Sequence, residues 1–344
     1  MTIELRERPS PAAPSKLVDP FGRAVTYLRL SVTDRCNFRC VYCMAETMAF
    51  LPHAELLRLE ELDRLCAIFI DLGVSKIRLT GGEPLVRRGV MTLIQSLGRR
   101  LRAGELRELT LTTNGSQLAR CAEELAACGV KRVNVSLDTL DVAKFAAISR
   151  RGALPDVIAG IEAADRAGLR VKINSVAQRG LTESCADPLI RWAHRRGYDL
   201  VFIEMMPLGD VKDDWARRFL PSSELRARLS QRLTFVPTEY RTGGPARYWR
   251  VDETGGLVGF ITPMTHSFCE SCNRVRVTCS GRMYLCLGRE AAADLSSLLR
   301  AGDDAAVAER IREAVASKPR GHAFAPHDGA PPDRPTRAIS LTGG

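Results

Sequence analysis

The sequence lacks any run of about 18 apolar residues, so no segment of it reads as a membrane-spanning helix. It is poor in aromatics, at 6% of 344 residues, which leaves little for stacking on unpaired bases. Its cations give a formal net charge of +10 but are scattered along the chain, with no aromatic-laced basic stripe. The expected partner is therefore a small, multiply charged anion, with no nucleic acid and no membrane. The first residues show no apolar h-region and carry Glu4 and Glu7 among arginines, so a secretory signal is not expected. In a cytoplasmic setting, eleven cysteines point away from a disulfide framework and toward reduced thiols and metal. Hydrophobic and charged contents of 45% and 26% are ordinary for a globular chain of one large domain plus a smaller one.

Residues 1–20 hold four prolines and no periodic pattern, and read as a disordered arm. From Phe21 apolar runs predict strands over Tyr27–Val32, Lys76–Leu79, Leu106–Leu111, Arg132–Leu137, Arg170–Ala177 and Leu200–Met205. Helical patterns fall between and after them, at Glu60–Leu72, Val90–Arg102, Leu118–Cys128, Pro155–Ala167 and Pro188–Arg196. Gly73, Gly129, Gly168 and Gly197 each stand where a helix should end and a strand begin. Such repetition predicts an α/β fold with a covered parallel sheet over residues 21–221. Six strands fall short of a closed eight-stranded barrel, leaving an incomplete (βα)6 TIM-type barrel or a doubly wound open sheet. Residues 222–325 differ in texture, with hairpin strands near Tyr248–Val251 and Val258–Thr262 and a helix at Ala305–Ala316. The tail, 326–344, reads as loop or disorder and closes on Gly343-Gly344.

The densest chemistry is Cys36-Asn37-Phe38-Arg39-Cys40-Val41-Tyr42-Cys43, three thiols in one loop after the first strand. Three cysteines with no fourth nearby suit an iron–sulfur cube with one open iron; a zinc knuckle completed by His53 is the alternative. Ligands of parallel sheets gather at the strands' C-terminal ends. Those ends carry Thr80-Gly81-Gly82-Glu83-Pro84, Thr112-Thr113-Asn114-Gly115, Ser136-Leu137-Asp138, Lys172-Ile173-Asn174 and Glu204-Met205-Met206. The paired glycines would let backbone approach a ligand, or could form an ordinary turn. A second group, Cys269, Cys272 and Cys286, is a metal site in which zinc completed by His266 or Cys279 is the alternative. Arg274 and Arg276, between these cysteines on one face of an extended stretch, read as an anion clamp or as solvated side chains.

The Cys-x3-Cys-x2-Cys loop and the Gly-Gly-Glu-Pro element after the second strand resemble the radical S-adenosylmethionine (SAM) enzymes. Leu28–Cys36, Lys76–Pro84, Asn134–Asp138, Phe268–Arg276 and the diglycine end together resemble the GTP 3′,8-cyclase family within them, from about residue 20 onward. The resemblance implies a radical SAM partial barrel with a smaller C-terminal region carrying a second cluster. It implies that Cys36, Cys40 and Cys43 hold a [4Fe-4S] cluster, with Tyr42, Gly82, Ser136 and Met206 beside SAM. Cys269, Cys272 and Cys286 would hold the second [4Fe-4S] cluster, whose open iron meets guanine. Arg29, Lys76, Arg78, Thr112, Lys172, Arg274, Val275 and Arg276 would surround GTP, and Gly343 and Gly344 would enter the active site with Arg274 and Arg276. One departure stands out: the family commonly has arginine where this chain has Val201.

The implied reaction is cyclisation of GTP to (8S)-3′,8-cyclo-7,8-dihydroguanosine 5′-triphosphate, the first step of molybdenum cofactor (molybdopterin) biosynthesis. In it a 5′-deoxyadenosyl radical takes the ribose 3′ hydrogen. The implied partners are GTP, an electron donor such as flavodoxin or ferredoxin, and cyclic pyranopterin monophosphate synthase, which takes the product; the chain would act as monomer or homodimer. The alternatives are a radical SAM enzyme maturing peptides or sulfatases, a ferredoxin-type carrier, and a zinc-bearing nucleic-acid binder.

Overall fold

The computed structural model describes residues 17–209, 214–324 and 335–343. Six strands alternate with helices as expected: β1 (Tyr27–Ser31), β2 (Lys76–Thr80), β3 (Glu108–Thr113), β4 (Arg132–Ser136), β5 (Arg170–Ala177) and β6 (Asp199–Glu204). They lie side by side in chain order, every neighbour parallel. Their helices are α1 (Leu59–Asp71), α2 (Val90–Arg102), α3 (Leu118–Ala127), α4 (Val142–Ser149), α5 (Leu154–Arg166) and α6 (Thr182–Arg195). Glycines 73, 129, 168 and 197 follow α1, α3, α5 and α6 with φ between 71° and 97°, the left-handed turn that glycine adopts without a Cβ penalty.

A strand exposes alternate residues to opposite faces, and this decides what each face becomes. The outward set, Leu28, Leu30, Ile77, Leu79, Leu109, Leu111, Val133 and Val135, joins Leu65, Phe69, Leu93, Leu97, Leu125 and Ile161 of the helices in one buried core. Truncating one such leucine to alanine costs roughly 2–5 kcal/mol. The opposite face, lined by charged and amide side chains, is left for a site.

Two differences from the sequence expectation concern helices of the βα units. α4 was not anticipated; it is short and capped by Asp141, whose side chain accepts from Lys144 N at 2.9 Å. α6 begins at Thr182, six residues before Pro188, so the proline sits inside the helix and does not open it.

The C-terminal region joins the sheet of the barrel. β7 (Phe235–Pro237), β8 (Arg247–Val251) and β9 (Leu257–Ile261) form an antiparallel series whose last member pairs parallel with β6. β10 (Arg274–Val277) pairs parallel with β1, and β11 (Arg282–Tyr284) and β12 (Ala292–Asp294) continue antiparallel beyond it. The sheet runs β12-β11-β10-β1-β2-β3-β4-β5-β6-β9-β8-β7. Its central eight strands are parallel, six from the βα units and one at each side from the C-terminal region.

Leu17–Pro20, assigned by sequence to the disordered arm, are ordered: Leu17 and Asp19 are buried and Val18 bridges Ala24. The remainder of that arm, residues 1–16, lies outside the described residues, as do 325–334 of the tail and Gly344. The described part of the tail carries a short helix, Ile339–Thr342, with Ser340 and Thr342 buried. It is tied down by Arg337, 3.0 Å from Glu290 and stacked over Tyr284 at 4.2 Å.

Candidate active site

Inward-facing residues of the parallel strands surround one cavity. Tyr27 and Arg29 come from β1, Lys76 and Arg78 from β2, Arg132 and Asn134 from β4, Lys172 and Asn174 from β5, and Arg274 and Arg276 from β10. The register explains the crowding: Arg29 lies opposite both Arg78 and Arg276, and Tyr27 opposite both Lys76 and Arg274. All six cations anticipated for the nucleotide thus meet on one wall system. Arg132 is a seventh that the sequence reading missed, although its alternation with Asn134 and Ser136 on β4 put it on the same face.

Counter-charge is scarce. Glu108 on β3 holds Lys76 and Arg132, each at 2.7 Å. Lys172 is buried, donates to the Tyr248 hydroxyl, and is pushed down to about 8 by burial and by Arg132. Burial also lowers Arg274 and Arg276, with Arg29 adding to the effect. The Nε atoms of Arg29, Arg78, Arg132 and Arg274 and the hydroxyls of Tyr27 and Thr112 are buried without partners among the described residues. Donors without acceptors around a cationic cavity match an anionic ligand rich in oxygen.

Val275 does not belong to this wall. It points to the opposite face of β10 and is 1% exposed within the core, so only its backbone is available. Val201, where the family commonly has arginine, is buried against Ala246 and Tyr248.

The first cysteine loop lies beyond the C-terminal end of β1. It is clamped by the glycine pair: Gly82 N donates to Thr33 O and Glu83 N to Arg35 O, both at 2.9 Å. A Cβ on Gly82 would overlap the Arg35 carbonyl, so this close approach is to the loop backbone. Buried Glu83 accepts from Thr113 Oγ1 at 2.8 Å and Asn114 N at 2.6 Å, joining the ends of β2 and β3. Asn114 in turn contacts Cys36 Sγ at 3.8 Å. Tyr42 donates to Asp138 Oδ2 at 2.8 Å, and Asp138 Oδ1 accepts from Val176 N at 2.7 Å. Ser136 ends β4 half-buried, and Met206 lines the cavity. Burial raises the Cys36 thiol to about 11 and the Cys43 thiol to about 12.

Cys269, Cys272 and Cys286 line the same cavity. Cys272 immediately precedes β10, which runs parallel to β1, so this triplet flanks the N-terminal end of the strands. Burial acts to raise Cys272, but Lys318 and Arg274 more than offset it and the thiol is lowered overall. Buried Lys318, 3.5 Å from Cys272 Sγ and 2.7 Å from Leu285 O, carried no local sequence signal. Arg23 reaches the Cys269 carbonyl at 2.6 Å.

The thiols of each triplet influence one another's protonation and are therefore neighbours. Among the described residues no three His, Cys, Asp or Glu side chains converge on a single ion position. Of the side chains considered as zinc ligands, His53 and His266 are exposed and Cys279 is buried beside Arg87 and Ser31.

The tail reaches between the triplets. Ser340 N meets the Cys43 thiol, and Arg276 donates to Thr342 O at 3.2 Å and to Gly343 O. Gly343 has φ 70° and presses on Thr80, where any Cβ would overlap the threonine side chain.

Residues 30–214 match the model of the radical SAM superfamily, and 198–324 match molybdenum cofactor synthesis C. In shape the chain is similar to Streptococcus suis SuiB bound to S-adenosylmethionine, with a TM-score of 0.57 at 15% identity, over 84% of this chain and 68% of that one. Fold and site together define a radical SAM protein built on an open parallel barrel. In sequence it is 57% identical over 329 residues to GTP 3′,8-cyclase of Agrobacterium fabrum, covering 95% of this chain and 94% of the relative. Against the Rhizobium meliloti enzyme of the same description it is 58% identical over 338 residues, 98% of this chain and 97% of the relative. The chain belongs to the GTP 3′,8-cyclase family.

Proposed function

We propose that the protein cyclises GTP to (8S)-3′,8-cyclo-7,8-dihydroguanosine 5′-triphosphate, opening molybdenum cofactor biosynthesis. The observation that carries this reading is a single cavity lined by seven cations and the second cysteine triplet, with the first triplet beyond its far end. β1 has five residues, about 16 Å at roughly 3.3 Å per residue, which is the span of an extended nucleotide.

Cys36, Cys40 and Cys43 would hold one [4Fe-4S] cluster and Cys269, Cys272 and Cys286 the other. SAM bound beside the first cluster would supply the carbon-centred radical chemistry for abstraction of the ribose 3′ hydrogen. The chain's own work is placement. Tyr42, fixed by Asp138, the Gly82 backbone, Ser136 and Met206 bound the SAM side. Arg29, Lys76, Arg78, Arg132, Lys172, Arg274 and Arg276 hold the triphosphate, with the Thr112 hydroxyl as a further donor. Arg276 also grips the tail, and Gly343 packs against Thr80, a placement that would help exclude water from the reacting carbon. Lys318 offsets the thiolate charge at Cys272. Reduction comes from a small carrier such as flavodoxin or ferredoxin, and the product passes to cyclic pyranopterin monophosphate synthase.

Anaerobic reconstitution followed by metal and sulfide counting tests the cofactor assignment: roughly eight irons per chain are expected, four per cluster. Four irons, or zinc, would remove the second cluster. With GTP, SAM and reductant present, Arg274→Ala and Arg276→Ala should raise the GTP KM while SAM cleavage persists. An unchanged KM in both variants contradicts their place on the triphosphate.

A further inference from the structure

Tyr27 begins β1 and has no part in the assignments above. Its ring is surrounded by cations: Lys76 Nζ lies 5.0 Å from the ring centroid, the guanidinium carbons of Arg29 and Arg78 5.6 Å, and that of Arg274 5.9 Å. The residue is 4% exposed and lines the cavity, and its hydroxyl has no hydrogen-bond partner among the described residues. An unpaired buried hydroxyl is costly unless a ligand completes it or it yields its proton. Burial acts to raise the phenol, yet Arg78, Arg29, Lys76 and Arg274 bring it from 10.0 down to about 7.

The charged groups facing it are Arg29 from β1, Lys76 and Arg78 from β2, and Arg274 from β10, with Arg276 further along that strand. The nearby acid, Glu108 of β3, is engaged with Lys76 and Arg132. In the free cavity the Tyr27 oxygen can therefore serve as an anion to these cations, beside the Cys272 thiol that Lys318 and Arg274 lower. A triphosphate competes for the same charges, and beside it a phenolate faces repulsion that protonation removes.

We propose that Tyr27 Oη is a further nucleotide contact: the cavity takes up one solvent proton at this oxygen as the triphosphate binds, and the resulting hydroxyl donates to a phosphate oxygen. This rests on the reading of the cavity as the GTP site. Because the proton must be supplied, nucleotide affinity falls as pH rises above about 7. Lys172, at about 8, adds a similar loss at higher pH and has to be separated from it.

Isothermal titration of GTP into the reconstituted full-length holoenzyme at pH 7.5, in two buffers of different ionisation enthalpy, counts the protons. Tyr27→Phe keeps the ring and its cation contacts. It should take up roughly 0.7 fewer protons per GTP than wild type, the phenolate share of a group titrating near 7. Lys172→Met should keep the Tyr27 share. Around pH 6 the Phe variant should bind GTP roughly ten- to a hundredfold more weakly, the worth of a hydrogen bond to a charged group. That gap should close by about tenfold per pH unit above 7. Equal proton uptake in wild type and Tyr27→Phe, or an affinity gap constant with pH, overturns the role of Tyr27 while leaving the GTP site intact. Failure of both proteins to bind GTP contradicts the substrate reading and this inference with it.

Discussion

Lys172 illustrates how individual residues manage a cavity crowded with like charges. Its ammonium donates to the Tyr248 hydroxyl and lies 5.1 Å from that ring, close to Arg132 and out of solvent. A lysine held near 8, below its usual 10.5, loses its charge as pH rises through that value, so nucleotide grip should weaken there. Arginine stays charged across this range. Lys172→Arg should therefore flatten the rise in GTP KM around pH 8 while leaving the Tyr27-dependent change near 7; a rise that persists unchanged would exonerate Lys172.

Val201 was legible in sequence as a departure, but its consequence was not. Tyr248, distant in the chain, packs on Val201, and a Cβ on Gly259 opposite would stand 2.9 Å from both side chains. The aromatic ring that steadies Lys172 thus sits beside the position where the family commonly has arginine. Arg132 and Tyr27 were readable by period-two alternation once β4 and β1 were drawn, whereas Lys318 reaches Cys272 through tertiary packing that no local pattern announces.

Among elements, five βα units were readable because each carries an apolar strand run and a helical pattern, four of them closed by Gly73, Gly129, Gly168 or Gly197. β11 and β12 were not, since strands of three residues give no run to detect, and β10 was read only as an extended stretch with two arginines on one face. The Gly81-Gly82 pair was read as an approach to ligand; the contact that demands it is with the cysteine loop. Gly82→Ala should therefore act on the loop, costing about 1–3 kcal/mol of stability through overpacking. Thermal denaturation should show it, and iron should be lost from the first cluster before the second. A variant with wild-type Tm and full iron would show that the loop can move aside.

For the whole molecule, the decisive feature is that residues 222–325, though different in texture, supply β9 and β10 to both sides of the barrel sheet. Among the described residues no helix is long and apolar enough to cross a membrane. A fragment ending at residue 221 would leave β1 and β6 as bare edges, which invite pairing with other chains. It should aggregate on expression; a monomeric fragment with cooperative unfolding would contradict the fused sheet. The parallel register also places the two cysteine triplets at opposite ends of the same strands, something spacing in the chain could not reveal.

The proposed function depends most on one cluster at the nucleotide cavity and another beyond its far end, each reserved for a different ligand. Electron paramagnetic resonance of the reduced holoenzyme, recorded alone, with SAM and with GTP, tests this directly. It should show two cubane signals, one shifted by SAM and the other by GTP. A single cubane signal, or two signals indifferent to GTP, would contradict it.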